Sequence, residues 1–528
     1  MFLNFILALL PIIWLFIAFL ALKLPGWIGC LIALGISIVE SIIFKTTAFS
    51  STLQGLTVGE SVTASLEGFI AAIWPIGIII LAAMFTYNLC IETRAMDLIK
   101  KMLTSVTNDK RVLVLILAWG FGGFMEAVAG FGTAVAIPAA MMVALGFNPL
   151  FSAVACLVAN AAPPTFGSIG IPTTTAASLT NIDPLVLSGP AFNMLIIPAF
   201  LSPFIIVALT GKSAGAKNAF DSMIGFTVIA GISYVIPAYI AAHYIGAEMV
   251  DLIGCTVSLV VMVLVAMKRK PTTDEAFVME MSEEEQSDLS GIRFGYVTAW
   301  LPYILMLVLL IGTSKLFPAI NGSLSGLKTV ITVFSGPNPA KVTLAWVGNA
   351  AVMIIIAGII GGFAQRASVS TMGHVLVKTC KGMWRAIATI LFIVAMAKVM
   401  GYSGMTSSIA TLLANLTGSA YPALAPLVGI IGTFVTGSTT SSGIIFAHMQ
   451  LEVANLLGAD PVQLVAANMA GGAIGKLISP QSIAVAIAAI STTDVVVTDG
   501  QIMAKTIKYC IFFGAIVCFL SYLFAVVL

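Results

Sequence analysis

The sequence predicts an all-α polytopic membrane protein with about 12 transmembrane helices plus two re-entrant hairpins, arranged as two inverted repeats with broken helices. Three observations predict it. Hydrophobic residues make up 59% of the 528 and charged residues only 9%, whereas a soluble domain keeps about a quarter of its residues charged. Apolar runs repeatedly reach about 20 residues, the length that crosses a bilayer core as helix. Two stretches 312 positions apart, "LGFNPL" (Leu145–Leu150) and "LGADPV" (Leu457–Val462), carry one helix-restart signal, an Asn or Asp cap followed by Pro.

The net charge of +2 offers a nucleic acid no basic surface. The seven cysteines are scattered without CxxC or His/Cys spacing, so neither a disulfide framework nor a metal site is expected. No cofactor is expected either.

Taken in order, spans are expected at 2–22, 26–44, 66–90, 185–211, 222–242, 248–267, 293–314, 343–363, 386–402 and 509–527. The first has no basic n-region and no small-residue cleavage site, and reads as a retained span. Runs at 149–180 and 462–491 are apolar but interrupted by Pro and Gly. The charged segment Lys268–Phe294 reads as a solvated cytoplasmic loop. It divides the chain into a first repeat at 1–211, linker spans and loop at 212–292, and a second repeat at 293–528.

Charge sets the orientation. Loop 91–111 carries Arg94, Lys100, Lys101, Lys110 and Arg111, which places it in the cytoplasm. Its counterpart in the second half, Ser403–Pro422, has no charge and reads as external. The repeats are therefore expected to be inverted, with both chain termini external.

Residues 111–146 are too few for two full spans and too many for one. They are expected to form a hairpin entered from the cytoplasm and bent at "AGFGT" (Ala129–Thr133). The counterpart, 421–457, would enter from outside and bend at "TGSTTSSG" (Thr436–Gly443). Each hairpin is followed by a broken helix. In "NAAPPTFGSIGIPTTT" (Asn160–Thr175), Pro163 and Pro164 end one half and Pro172 can start the next. In "GGAIGKLISPQS" (Gly471–Ser482) the break is expected between Lys476 and Gln481.

Non-helical backbone at membrane depth must face protein or water, and restarted helices offer free N–H groups that suit an anion. A small carboxylate is therefore expected among Gly130, Phe131, Gly132, Thr133, Gly167, Ser168, Ser438, Thr439, Thr440, Ser441, Lys476, Ser479 and Gln481.

At these residues the chain resembles the lactate permease family. The likeness is carried by "EAVAGFGTAVAIPAAMMVALGF", "FGSIGIP", "TGSTTSSGIIFAHMQ" and "AANMAGGAIGKLISPQSIAVA". It implies import of lactate, often glycolate, with a proton across the bacterial plasma membrane, and a fold like that of the ion transporters built from inverted repeats. The family's second hairpin reads Gly-Ser-Asp-Thr-Ser-Ser-Asn, so Thr439 stands here in place of an acid and Gly443 in place of Asn. Substrate choice and coupling are where that difference would tell.

A charge held at mid-membrane costs about 2.5–3.5 kcal/mol on insertion scales and is a functional candidate by default. Glu126, the lone charge between Arg111 and Asp183, is read as exchanging the coupled proton or as a structural acid bracing the hairpin. Lys476 is read as neutralising the substrate carboxylate or as pairing with Glu126. Lys398 is a second anion contact or a structural ion pair. His448 and Glu452, one helical turn apart, are a proton relay or a polar limb face. Glu40, Glu67, Glu248 and Asp251 lie near span ends and read as interfacial.

The leading function is a proton-coupled symporter for lactate, glycolate or a similar short 2-hydroxy monocarboxylate, in contact with the lipid bilayer. A homodimer is the one protein partnership the reading admits. The alternative is a sodium-coupled carboxylate transporter, because the hairpin tips offer hydroxyls and carbonyls. An enzyme fits poorly, because His243, His374 and His448 are dispersed. No GxxxxGK[ST] loop occurs, so the energy for transport is expected from an ion gradient.

Overall fold

The computed structural model describes residues 2–47, 53–130, 132–279, 292–314, 316–337, 339, 341–490 and 496–527. It is an all-helical membrane architecture apart from one small sheet. Ten of the described helices are long and apolar enough to cross a membrane, or 11 if the pair Pro461–Ile478 and Pro480–Ile490, bent by 43°, counts as one span. The expected number was about 12. The spans read at 293–314 and 343–363 are the shorter helices Tyr296–Gly312 and Ala350–Ala364. Between them Lys328–Thr332 pairs antiparallel with Lys341–Ala345. "KVTLA" alternates polar and apolar, a period-2 pattern that favours a strand over the start of a helix.

Two spans start earlier than their apolar runs. Thr57 and Glu60 form a reciprocal capping box that begins Val58–Glu92. The Ser368 side chain caps Val369–Tyr402 by accepting from the Thr371 N–H. The loop 91–111 holds an amphipathic helix, Ala95–Thr104, that buries Met96, Ile99 and Leu103.

Lys110–Val128 and Thr133–Ala144 turn back on each other around 129–132. Arg111 through Gly130 are all buried, so this limb is enclosed by protein on every side. Its base is fastened by Arg111, whose guanidinium donates to both Asp109 oxygens at 3.1 and 2.8 Å and lies 3.9 Å from the Phe277 ring centroid. The start of the charged loop is therefore docked rather than fully solvated: Phe277 is buried and accepts from the Lys110 N–H. Residues 280–291 lie outside the described residues.

The second pair, Tyr421–Thr436 and Thr439–Leu457, is antiparallel as well. Tyr421 donates to Gln450 at its base, and Ser442 donates to the Gly429 carbonyl nearer the tip. Contacts are exchanged between the halves. Thr133–Ala144 packs on Pro480–Ile490, and Thr439–Leu457 packs on Gly167–Thr180. Each hairpin thus rests on the far half of the other half-chain's broken helix.

The two breaks differ. In the first, Pro149–Ala159 ends, Pro163–Thr165 makes a 3₁₀ turn, and Ser168, Ile169 and Gly170 are left-handed at φ 47, 59 and 71°. Pro172 then falls in the first turn of the restarted right-handed helix. A β-branched residue such as Ile169 is an outlier at positive φ, and such strain gathers at functional sites. In the second break, Pro461–Gly475 tightens into a 3₁₀ turn at Lys476–Ile478 and restarts at Pro480.

Candidate functional site

The first hairpin ends on Glu126, 3% exposed, and the second break presents Lys476 to it. Lys476 Nζ lies 2.6 Å from Glu126 Oε1. This is the ion pair the sequence left open as one role for Lys476, and it joins residues 350 positions apart. Asn160, at the end of the helix entering the first break, donates from Nδ2 to Glu126 Oε2 at 3.2 Å. Gly167 leaves room for the carboxylate, since a Cβ there would stand 2.7 Å from Oε1. Asn160 Oδ1 is buried and has no hydrogen-bond partner among the described residues.

Around this pair the predicted residues fall into two sets. At the first tip Gly130 and Gly132 supply the left-handed turn at φ 60 and 88°. The Thr133 hydroxyl donates back to the Gly130 carbonyl at 2.7 Å, and Ser168 donates to the Ala129 carbonyl at 3.2 Å. The Thr133 hydroxyl therefore closes the turn itself, and the Ser168 hydroxyl braces the tip against the first break. Phe131 lies outside the described residues.

At the second tip Ser438 caps the returning limb by accepting from the Ser441 N–H, while Thr440 is half-buried and Ser441 buried. Ser479 bonds Ser482 at 2.8 Å and is committed to the restart of the helix. Gln481 is exposed and lies against Gly437 at the tip. A Cβ at Gly443 would stand 2.9 Å from Met469 Sδ, so the family's Asn has no room here without a shift of that side chain.

Thr439 is 4% exposed and its hydroxyl has no partner among the described residues. An unpaired buried hydroxyl calls for an explanation, and at a hairpin tip a ligand contact is one that can be tested. Thr439→Val is expected to raise the KM for substrate about tenfold, one hydrogen bond's worth, with unchanged protein yield. Uptake titrations on membrane vesicles check this.

Lys398 is engaged elsewhere. Its Nζ lies 2.9 Å from Glu67 Oε1, and Tyr402 donates to both Glu67 oxygens at 3.0 and 3.1 Å. Glu67, expected at an interface, is fully buried within the first third of Val58–Glu92. His448 is within electrostatic reach of Lys398 and Glu452. These groups form a second polar cluster that ties Val58–Glu92 to Val369–Tyr402. Breaking a buried pair by removing one partner costs about 3–5 kcal/mol. Lys398→Met is accordingly expected to lower the Tm by several degrees, with Glu67→Gln/Lys398→Met recovering most of the loss, as read by thermal unfolding in detergent.

Asp251 lies near a span end as expected, in the first turn of Val250–Lys268, but it is covered by protein rather than open to water. It is 0% exposed, and Tyr234 donates to its Oδ1 at 2.6 Å. The 3₁₀ turn Ala247–Met249 precedes that helix. A stripe of small or polar residues, Asp251, Cys255 and Ser258, was the available signal.

The model of the family described as L-lactate permease matches residues 4–528. The L-lactate permease of Streptococcus iniae is 39% identical over 87% of this chain and 93% of its own length. The glycolate permease GlcA of Escherichia coli K12 is 32% identical over 98% of this chain and 94% of its own. In fold, the chain is similar to the antimetabolite efflux pump MtrF of Neisseria gonorrhoeae, with a TM-score of 0.52 at 14% identity, covering 94% of this chain and 95% of that one.

Proposed function

The chain belongs to the L-lactate permease family, and on that premise we propose that it carries lactate, glycolate or a similar short 2-hydroxy monocarboxylate together with a proton across the bacterial plasma membrane. The observation that carries this reading is the Glu126–Lys476 pair. In the empty site a carboxylate and an ammonium neutralise each other. When substrate arrives, its own carboxylate takes Lys476 while a proton takes Glu126. The loaded site is again neutral.

The half-loaded states are not. A proton alone leaves one positive charge and a substrate anion alone leaves one negative charge, and an uncompensated charge in an apolar surround costs several kcal/mol. Proton and anion therefore each strengthen the binding of the other, which is coupling in the thermodynamic sense. Asn160 serves both forms of Glu126: its Nδ2 donates to the carboxylate, and its unpartnered Oδ1 accepts from the protonated acid after an amide flip. Thr439 and Gln481 lie at the second tip, where the rest of a hydroxy acid needs polar partners.

The two hairpins and two breaks read as inverted repeats, 1–211 and 293–528, joined by 212–292, with both termini outside. The reciprocal packing of each hairpin on the other repeat's broken helix supports that reading.

Purified protein in liposomes tests the function, with pH and sodium gradients imposed separately. Lactate and glycolate are expected to accumulate under an inward proton gradient, and a dicarboxylate is not. Accumulation driven by sodium at fixed pH moves the assignment to a sodium-coupled carboxylate transporter.

A further inference from the structure

Lys110–Val128 packs along Ala247–Lys268, and the close approaches between them fix the register. A Cβ at Gly120 would stand 3.0 Å from Leu259 Cδ1, and one at Gly123 would stand 2.8 Å from Cys255 Sγ. Three residues forward on one helix match four residues back on the other, so the two run antiparallel. The next step brings Glu126 level with Asp251. The glycines let the backbones close up, and the two acidic residues fall at one level along the packed pair. Asp251 is within electrostatic reach of Glu126 and of Lys476.

Three further features distinguish Asp251 from a structural acid. Its Oδ2 is buried with no partner among the described residues, although Tyr234 holds Oδ1 in place. Tyr234 is itself locked by Trp119 and Phe192, with ring centroids at 5.1 and 6.1 Å. Just before Asp251 in the chain, Glu248 and Met249 of the turn Ala247–Met249 line a cavity of about 160 Å³ with Asp183, Thr313, Asn321 and Asn349, and Asp251 lies behind that wall rather than on it. That cavity is on the external side in the orientation proposed above, and the turn lies directly against Gly170 of the first break.

We propose that Asp251, positioned by Tyr234, is a second proton-carrying carboxylate that relays the coupled proton between this cavity and Glu126. The proton on Asp251 Oδ2 passes to Glu126, whose bond to Lys476 is given up, and Asp251 takes a replacement from water in the cavity. The titratable and charged groups facing Asp251 are Tyr234 from Ile224–Tyr244, Glu126 from the first hairpin, Lys476 from the second break, and Cys255 one turn along its own helix. The linker spans thereby enter the transport cycle instead of merely joining two repeats. The inference rests on the proton-coupled reading.

Asp251→Asn in liposomes tests it. Exchange of labelled for unlabelled lactate at equal pH, which moves no net proton, is expected to stay within about threefold of the parent. Accumulation driven by a gradient of one pH unit, about tenfold in the parent, is expected to vanish. Accumulation and pH profile matching the parent overturn the relay. A parent without proton-driven accumulation overturns the symport reading and the relay together. Where Asp251→Asn does not fold, Tyr234→Phe is read instead. It is expected to move the midpoint of the uptake–pH profile by at least half a unit, and an unmoved midpoint overturns the relay.

Discussion

Glu126→Gln is expected to abolish proton-driven accumulation while leaving the protein folded. The glutamine keeps an oxygen for Lys476, and its amide can donate to Asn160 Oδ1, which has no partner among the described residues. No buried charge is created except on Lys476, which now lacks its counter-ion in the empty site. Two consequences follow from the neutrality argument. The substrate anion becomes the sole partner for Lys476, so binding loses its rise with proton concentration. The empty carrier, now positive, returns poorly, so net cycling slows. One pH unit is worth about 1.36 kcal/mol, so a parent moving one proton per lactate sustains about tenfold accumulation under such a gradient. The variant is expected to sustain about onefold. Radiolabelled uptake over imposed gradients from pH 5.5 to 8 measures it, and accumulation with the parental pH dependence would remove Glu126 from the proton path.

How much of this could be read beforehand depended on contrast with the surroundings. Glu126 and Lys476 stood out because each is a lone charge beside a glycine-rich interruption, a pattern without a bland explanation at membrane depth. Their direct contact is one of the readings the sequence leaves open for Lys476, and only the fold decides it, because the two residues are 350 positions apart. Glu67 and Asp251 hid for different reasons. The capping box at Thr57–Glu60 starts the Glu67 helix well before its apolar run, so Glu67 is not at the span end. Asp251 does sit in the first turn of its helix, and is covered by neighbours that position along a span does not reveal. The polar stripes Ser61, Ser65, Gly68 and Asp251, Cys255, Ser258 mark buried faces at helical spacing. In so apolar a chain that small-residue face was the better guide. Of the strand pair, Lys328–Thr332 lies between the expected spans, and the end of Lys341–Ala345 falls inside the span expected at 343–363, where a period of 2 over five residues is easily mistaken for helix.

Lys476 carries the second large effect, and its variants separate a transport role from a structural one. Truncating one partner of a buried charge pair costs about 2–5 kcal/mol, and 1.4 kcal/mol is tenfold in affinity. Lys476→Met is thus expected to weaken lactate binding by about 30-fold or more. It also leaves Glu126 buried without its cation, so the Tm is expected to fall as well. Stability alone cannot tell the roles apart, because either one predicts that loss. The double variant Glu126→Gln/Lys476→Met can. With both charges gone the site is neutral when empty, and the Tm is expected to return close to the parent's. If the pair served only to hold the first hairpin against the second break, transport would return with the fold. If Lys476 is the group that receives the carboxylate, the double variant folds like the parent, binds lactate as weakly as Lys476→Met, and accumulates nothing. Thermal unfolding and equilibrium binding on the same preparation decide between them, and a double variant with parental lactate affinity would leave Lys476 a structural residue.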